Sequence, residues 1–399
     1  MINSECIEYI GEYIMCRVRL NYPRHSNPNV QTEGIKYIGS KKRGLDSILK
    51  ICKDLDVTSV FDGFSGTTRV SQALAKSGLS VTANDRSVWS KVFAECYLLA
   101  DYEQREYYSE QIQELNQLDG KDGWFTENYG GLPNGGSARG EDGLKKPWQI
   151  HNTRKLDAIR VAIDDIASNE IEKSVYLTSL ILAMDKVDST LGHQVSYLKE
   201  WSKRSYNDIK LELPKICPNG NHRVLSGDIF DVIGDVSADL SYYDPPYGSG
   251  NEKMPPSRVR YSSYYHLWKS ICLNDQPELV GVAKRRADVS DTLDPSVFEE
   301  FRRGDSGRFI VTEAVEKLIE KTNSKFVLLS YGSTGKLTLD EIMDSIRQSG
   351  YEHRTTTREQ TANVMASMTW TDEWTGQHTS GNKNTEYLIL VAKEGFKSQ

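Results

Sequence analysis

Most of the chemistry legible in this chain lies in the stretch Asp239-Leu240-Ser241-Tyr242-Tyr243-Asp244-Pro245-Pro246-Tyr247-Gly248. An apolar-aromatic run ends in an acid, two prolines and an aromatic ring. Pro245 and Pro246 lack N–H groups and hold φ near −65°, so a strand cannot continue through them. What the turn presents is a carboxylate, carbonyls with no adjacent donors, and an aromatic face. That set suits a planar molecule bearing an exocyclic amine, such as adenine. Asp244 and the Pro245 carbonyl can accept the two N–H bonds while Tyr247 stacks on the ring. Two acceptors aimed at those hydrogens localise the nitrogen lone pair for in-line attack, which is electrostatics and alignment rather than covalent catalysis. A strand-terminating turn with a packed tyrosine is the plainer alternative, because Asp-Pro turns are common.

Such a turn needs a strand behind it and a crevice in front, and open α/β sheets place their ligands at the carboxyl ends of strands. The flanking sequence supplies both. Val57 to Phe61 reads as a short buried strand running into Asp62-Gly63-Phe64-Ser65-Gly66-Thr67-Thr68. A helix over Val70, Ala73 and Leu74 follows and stops at Gly78, and a second strand, Ser80 to Asn84, ends in Asp85. This is a βαβ unit with small residues in its first turn and an acid 23 positions after Asp62. It is similar to a nucleoside-binding crossover in which the acid bonds ribose hydroxyls, and it departs from the G-x-G-x-x-G of a dinucleotide site. Further on, His222 to Leu225 is a strand leading to Gly227-Asp228-Ile229-Phe230. The dense aromatic run Tyr261 to Trp268 lies close enough in sequence to the proline turn for some rings to line a pocket.

Around this core, Ser40 is placed to cap a helix running to about Asp54. Ser87 to about Leu118 is helical, and residues 119–149 are Gly-rich with interspersed aromatics. Helical patterns follow at about 153–168, 171–190 and 195–206. Lys325 to Tyr331 and Glu386 to Ala392 read as strands, with a helix from Leu339 to Ser349 between them. The organisation expected is an N-terminal arm (1–29), a catalytic domain (30–118 and 222–399) and a mostly helical insertion (119–221). The fold class is α/β.

Composition sets the limits. At 399 residues the chain can hold two domains or one large domain with an insertion. No segment approaches the ~20 apolar residues that span a bilayer, and the polar, acidic N-terminus is not expected to act as a secretory signal. Cysteines 6, 16, 52, 96, 217 and 272 show no metal-ligand spacing, so no metal is expected and they read as thiols in a reducing cytosol. The net charge of −7 argues mildly against nucleic acid, but placement of the cations matters more than their sum. They cluster, among other places, at Lys199, Lys203 and Arg204 and at Arg258 and Arg260.

The order of these features resembles the adenine-N6 DNA methyltransferases of the class that includes the Dam methylases, over about residues 33–393. Lys36-Tyr37-Ile38-Gly39-Ser40-Lys41 looks like the family's K-W-x-G-G-K element, whose aromatic and second lysine face the methionine moiety of the cofactor. Asp62-Gly63-Phe64-Ser65-Gly66 looks like the E-P-F-x-G-x-G cofactor loop, with Gly63 in place of proline and Thr68 in place of the last glycine. Asp85 matches the ribose-binding acid, Asp228 and Ile229 the pair that reads the cofactor's adenine, and Asp244-Pro245-Pro246-Tyr247 the catalytic tetrapeptide. The resemblance implies a Rossmann-like S-adenosylmethionine-dependent fold with S-adenosylhomocysteine as product. It also implies a helical insertion for target recognition and transfer of methyl to a flipped-out adenine in duplex DNA. Candidates for DNA contact are Lys199, Lys203, Arg204, Arg258 and Arg260, with Gln194 and Asn207 as further candidate base contacts. It implies a cytoplasmic protein of a prokaryote or phage, a monomer or weak dimer, and leaves room for a cognate restriction endonuclease. Methylation of an RNA base or a protein glutamine, and a catalytically inactive binding module, stay open as alternatives.

Overall fold

The computed structural model of the chain describes residues 30–248, 261–289, 296–300, 302–360 and 384–393. The expected arm over 1–29 and the candidates Arg258 and Arg260 lie outside the described residues. A seven-stranded mixed sheet forms the centre. Its strands are β1 (Ser59–Asp62), β2 (Ser80–Asp85), β3 (Arg223–Ser226), β4 (Ser237–Tyr243), β5 (Asn323–Gly332), β6 (Glu352–Gln360) and β7 (Asn384–Ala392). They lie in the order β6-β7-β5-β4-β1-β2-β3. The block from β5 to β3 is parallel, and β7 enters antiparallel between β5 and β6.

Strand alternation sorts the side chains onto two faces. Val60, Leu240, Tyr242, Leu328, Leu388 and Leu390 point to one core, while Phe61, Tyr243, Val327, Leu329, Ile389 and Val391 point to the other. Both faces are covered, which is why these strands are apolar on both sides. The first face is covered by α1 (Leu45–Asp54), α2 (Arg69–Lys76), α3 (Val88–Ala94), α4 (Arg105–Gln117), α5 (Trp124–Tyr129), α6 (Ile150–Ile166) and α7 (Glu170–Lys186). The second carries α8 (Ile229–Val232) and, after the short helices α9 (Tyr261–Tyr264) and α10 (His266–Leu273) return to the first, α11 (Ile310–Lys321) and α12 (Leu339–Gln348). Among the described residues, no helix is long and apolar enough to cross a membrane.

Several expected elements differ locally. Ser40 makes no side-chain cap. A 3-10 turn, Lys41–Arg43, intervenes, and α1 starts after Gly44. Residues 195–206 are not a helix but an extended segment ending in a 3-10 turn, Lys203–Tyr206. Its apolar positions Tyr197 and Trp201 are buried by tertiary contacts rather than by a helical face. The Gly-rich stretch is more ordered than its composition suggests, because Asp157 accepts the N–H groups of Phe125 and Thr126 and holds α5 in place.

Candidate active site

The sheet order reverses direction at β1. The chain leaves β1 towards β2 on one side, and β4 pairs with β1 on the other, which makes the β1/β4 boundary a topological switch point. Asp62 ends β1 and Asp244 follows β4 directly. The two ends are tied by Gly63 N–H to Tyr242 C=O at 3.0 Å. A cavity of about 430 Å³ opens there, and its lining includes Tyr37, Lys41, Asp62, Phe64, Asp85, Asp228, Asp244 and Tyr247. Every residue assigned above to the cofactor or to the proline corner borders this one cavity.

The turn after β1 is built from residues that fit nowhere else. A Cβ on Gly63 would lie 2.6 Å from the Tyr243 ring and 2.9 Å from Ile229, so alanine, or the proline of the resembled motif, would force those side chains to shift. Gly66 has φ of +47° and Thr68 φ of +58°. Thr68 thus stands in the left-handed region where the motif has glycine, and its hydroxyl is bonded by Gln72 at 3.1 Å. Asp85 closes the loop from β2, with one oxygen accepting Gly66 N–H at 2.9 Å and the other Ser87 N–H at 2.8 Å. Burial raises its carboxyl, and those N–H bonds oppose the rise. A carboxylate has about four acceptor sites, so Asp85 keeps capacity for hydroxyl donors. Asp228 caps α8 through Phe230 N–H at 3.0 Å, with Ile229 buried behind it.

Asp62 has only one of its two oxygens hydrogen-bonded. It is fully buried, Ser71 donates to Oδ2 at 2.6 Å, and Oδ1 has no hydrogen-bond partner, as is also true of Asn84 Oδ1. Burial pushes its carboxyl up to about 7 against the opposing Ser71 bond. Orphaned buried acceptors bordering a cavity fit a ligand bearing N–H or O–H donors. Across the cavity, Tyr37 stacks on Tyr265 at 4.7 Å between centroids and meets Trp89 and Tyr261, both at 5.8 Å. Tyr265 Oη accepts Ile38 N–H at 2.8 Å, and Tyr261 Oη donates to Ile38 C=O at 2.7 Å, which fastens the Lys36–Lys41 segment over the cavity. Tyr261 and Tyr265 are thus the rings of the aromatic run that reach the pocket.

At the proline corner, Lys41 Nζ lies 3.0 Å from Asp244 Oδ1 and 2.5 Å from Glu386 Oε1, and donates to Tyr247 Oη at 2.7 Å. Tyr247 Oη in turn donates to Asp244 Oδ1 at 3.1 Å. The Tyr247 ring rests on Tyr331, with centroids 4.9 Å apart. A Cβ on Gly332 would sit 3.2 Å from the Tyr247 ring and one on Gly335 2.5 Å from the Tyr331 ring, so these two glycines leave room for the paired rings. Burial pushes the Asp244 carboxyl up to about 6. Lys41 opposes this and Glu386 adds to it. Lys41 is held well above the ordinary lysine range, since Asp244, Tyr247 and Glu386 outweigh the burial that would lower it. Lys41 therefore faces the corner acid directly, a contact that the motif alone did not give.

Glu386, Tyr331 and Phe298 escaped the sequence reading. Glu386 shares a strand face with Leu388 and Leu390, and an acid in that alternation was the available signal. Phe298, packed at 5.2 Å on Phe64, had none. Of the described cations, Lys199 and Lys203 are exposed. Arg204 is engaged by Asp188, at 2.7 Å, and by the Thr190 carbonyl, at 2.9 Å. Gln194 is buried and accepts Leu267 N–H at 2.7 Å, which makes it a support for α10 rather than a surface reader. Among the described residues, no group of His, Cys, Asp and Glu could hold a metal ion.

A mostly parallel sheet with acids at the ends of neighbouring strands, around an aromatic-walled cleft, is an α/β architecture with its crevice at the strands' carboxyl ends. The family model of the D12 class N6 adenine-specific DNA methyltransferases matches residues 37–295, and the chain belongs to that family. Its relatives include the modification methylase StsI of Streptococcus sanguinis, 28% identical over 333 residues covering 79% of this chain and 46% of the relative. The type II methyltransferase M.FokI of Planomicrobium okeanokoites is 28% identical over 339 residues, covering 79% and 47%. The type II methyltransferase M2.HphI of Haemophilus parahaemolyticus is 25% identical over 390 residues, covering 90% and 97%. The chain thus spans about half the length of the first two and nearly all of the third.

Proposed function

We propose that the protein transfers a methyl group from S-adenosylmethionine to the amino group of a flipped-out adenine in duplex DNA, as a site-specific modification enzyme. The observation that carries this is the sharing of one cavity by the Asp244 corner and the acids of the first βαβ unit. Family membership and the type II modification methylases among the relatives support it.

The residues present fit the cofactor. Asp85 would bind the ribose hydroxyls, and Asp228 with Ile229 would bind the adenine beside Phe64. Asp62, whose Oδ1 has no partner, would take the cationic amino group. The Tyr37 ring would offer its face to the sulfonium, an attraction worth ~0.5–2 kcal/mol for a cation over an aromatic ring. When bound, this cofactor supplies a strongly electrophilic methyl, so the protein's task is placement and charge. Extruding the base costs a few kcal/mol, offset by stacking on Tyr247 and bonds from its amino group to Asp244 and the Pro245 carbonyl. Asp244 and the Pro245 carbonyl would accept the amine's two N–H bonds and so hold its lone pair towards the side of the cavity where the cofactor would supply methyl.

Segment 119–221 would carry target recognition, with Lys199 and Lys203 as exposed phosphate contacts, and a restriction endonuclease is the partner such a modification enzyme would protect against. The deciding experiment compares methyl incorporation into duplex DNA, RNA and protein, then maps modified bases in a host genome lacking adenine methylation. N6-methyladenine at a defined site is expected. Asp244→Ala should abolish it while leaving cofactor affinity within about threefold, since the acid acts on the amine. A mark on RNA or protein alone, or a matching loss of cofactor affinity, would overturn the assignment.

A further inference from the structure

Two buried charges, Lys41 and Glu386, meet the half-buried Asp244 at the proline corner, and Glu386 comes from the far end of the chain. Lys41 and Glu386 are 8% and 6% exposed. The Lys41 ammonium has three N–H donors and directs them at Asp244, Glu386 and the Tyr247 hydroxyl. Glu386 is fixed from below by the Ser330 hydroxyl on β5 at 3.1 Å. Asp244 Oδ1 is thus already engaged by Lys41 and Tyr247, so an amine donating to that oxygen would meet a charged competitor.

A neutral amine cannot displace an ammonium from a carboxylate on equal terms, because charge-assisted hydrogen bonds are about twice as strong as neutral ones. Were Asp244 the sole anion near Lys41, releasing it would leave a buried cation unpaired, at ~3–5 kcal/mol. With a second carboxylate at 2.5 Å, the ammonium has somewhere to go. We propose that Glu386 is a positioning residue for methyl transfer, holding the Lys41 ammonium so that Asp244 is free to turn its carboxylate to the entering amine. This role rests on the reading of Asp244 as the acceptor of the target amine. The position itself argues for a purpose, since Leu388 and Leu390 on the same strand face pack into the core.

The groups acting on Asp244 are Lys41 ahead of α1, Glu386 on β7, and Tyr247 beside it. Tyr242 on β4, Tyr261 on α9 and Asp62 on β1 stand nearby. Glu386 raises the Asp244 carboxyl and Lys41 lowers it. Removing the negative neighbour must therefore move the Asp244 titration downwards.

The test uses the full chain as wild type, Glu386→Gln, Glu386→Asp and Ser330→Ala. Glu386→Gln should lower kcat roughly tenfold to a hundredfold, with the cofactor KM unchanged and the acid limb of the pH profile shifted down. Glu386→Asp should restore part of the rate. Carbon-13 NMR of the Asp244 carboxyl, in aspartate-labelled protein, should show the lower midpoint whether or not DNA is methylated. Should Glu386→Gln not fold, Ser330→Ala loosens the same carboxylate and should give a smaller loss of kcat. An unchanged kcat with an unmoved Asp244 midpoint overturns the proposal. So does a loss of thermal stability alone. A wild type that methylates no adenine in DNA would overturn the functional assignment instead, while the titration still decides whether Glu386 governs Asp244.

Discussion

Asp62 shows how much a single buried acid can be made to cost. It is fully buried with one oxygen unpartnered, and its carboxyl is pushed up to about 7 from 3.8. The unfolded chain gives up this proton first, so the fold loses stability as pH climbs from about 4 to about 7. Above that the penalty is complete, on the order of 4 kcal/mol. Asp62→Asn removes the ionisation, so urea unfolding should find the variant more stable than wild type at pH 8 and not at pH 4. Cofactor affinity, read by calorimetry, should fall at least about tenfold if Oδ1 receives a charged donor, the usual exchange of stability for function at such a site. Equal stabilisation at both pH values would show that packing, not charge, is responsible.

At the scale of the element, the β1–α2 turn is specified by the absence of a side chain. Gly63 lies where a Cβ would press into the Tyr243 ring, and its N–H donates to Tyr242 C=O at 3.0 Å. Tyr243 is itself fixed, with its hydroxyl 2.8 Å from that of Thr322. Gly63→Ala should therefore cost ~1–3 kcal/mol by overpacking. Gly63→Pro should cost more, because it removes the N–H as well. Denaturation midpoints of the two variants check the order. Proline tolerated as well as alanine would mean that the strand-to-strand bond is not formed. The chain departs from the resembled motif here because a tyrosine at the second strand end already fills the space.

Across the whole molecule, the first core runs from α1 through the 119–221 segment to β7. Trp148, Leu156 and Val175 share it with Val60 and Val81 of the sheet. The protein has net charge −7, yet the proposed partner is a polyanion. Binding must then rest on a local basic surface, and its affinity should fall steeply with salt, by about one unit of log–log slope per phosphate contact. Lys199→Ala and Lys203→Ala should each flatten that slope by about one and weaken duplexes of unrelated sequence alike. An unchanged slope in the double variant would move the DNA-facing surface elsewhere.

The proline corner, the acids ending β1 and β2, and the α/β class were legible because each rests on local rules: period-two alternation, missing N–H groups, small residues at a tight turn. A two-residue shift in a strand end does not disturb them. The helix expected over 195–206 does not form because the segment's apolar spacing answers to partners distant in the chain and not to a helical face. Only the packed structure brings Lys41, Asp244 and Glu386 together, through pairs 203 or more residues apart, and no local propensity encodes such a meeting. Which carboxyl is pushed upwards, which lysine is spent on which carboxylate, and why glycine replaces proline after β1 are consequences of burial and shared space. Those exist only once the strands are side by side.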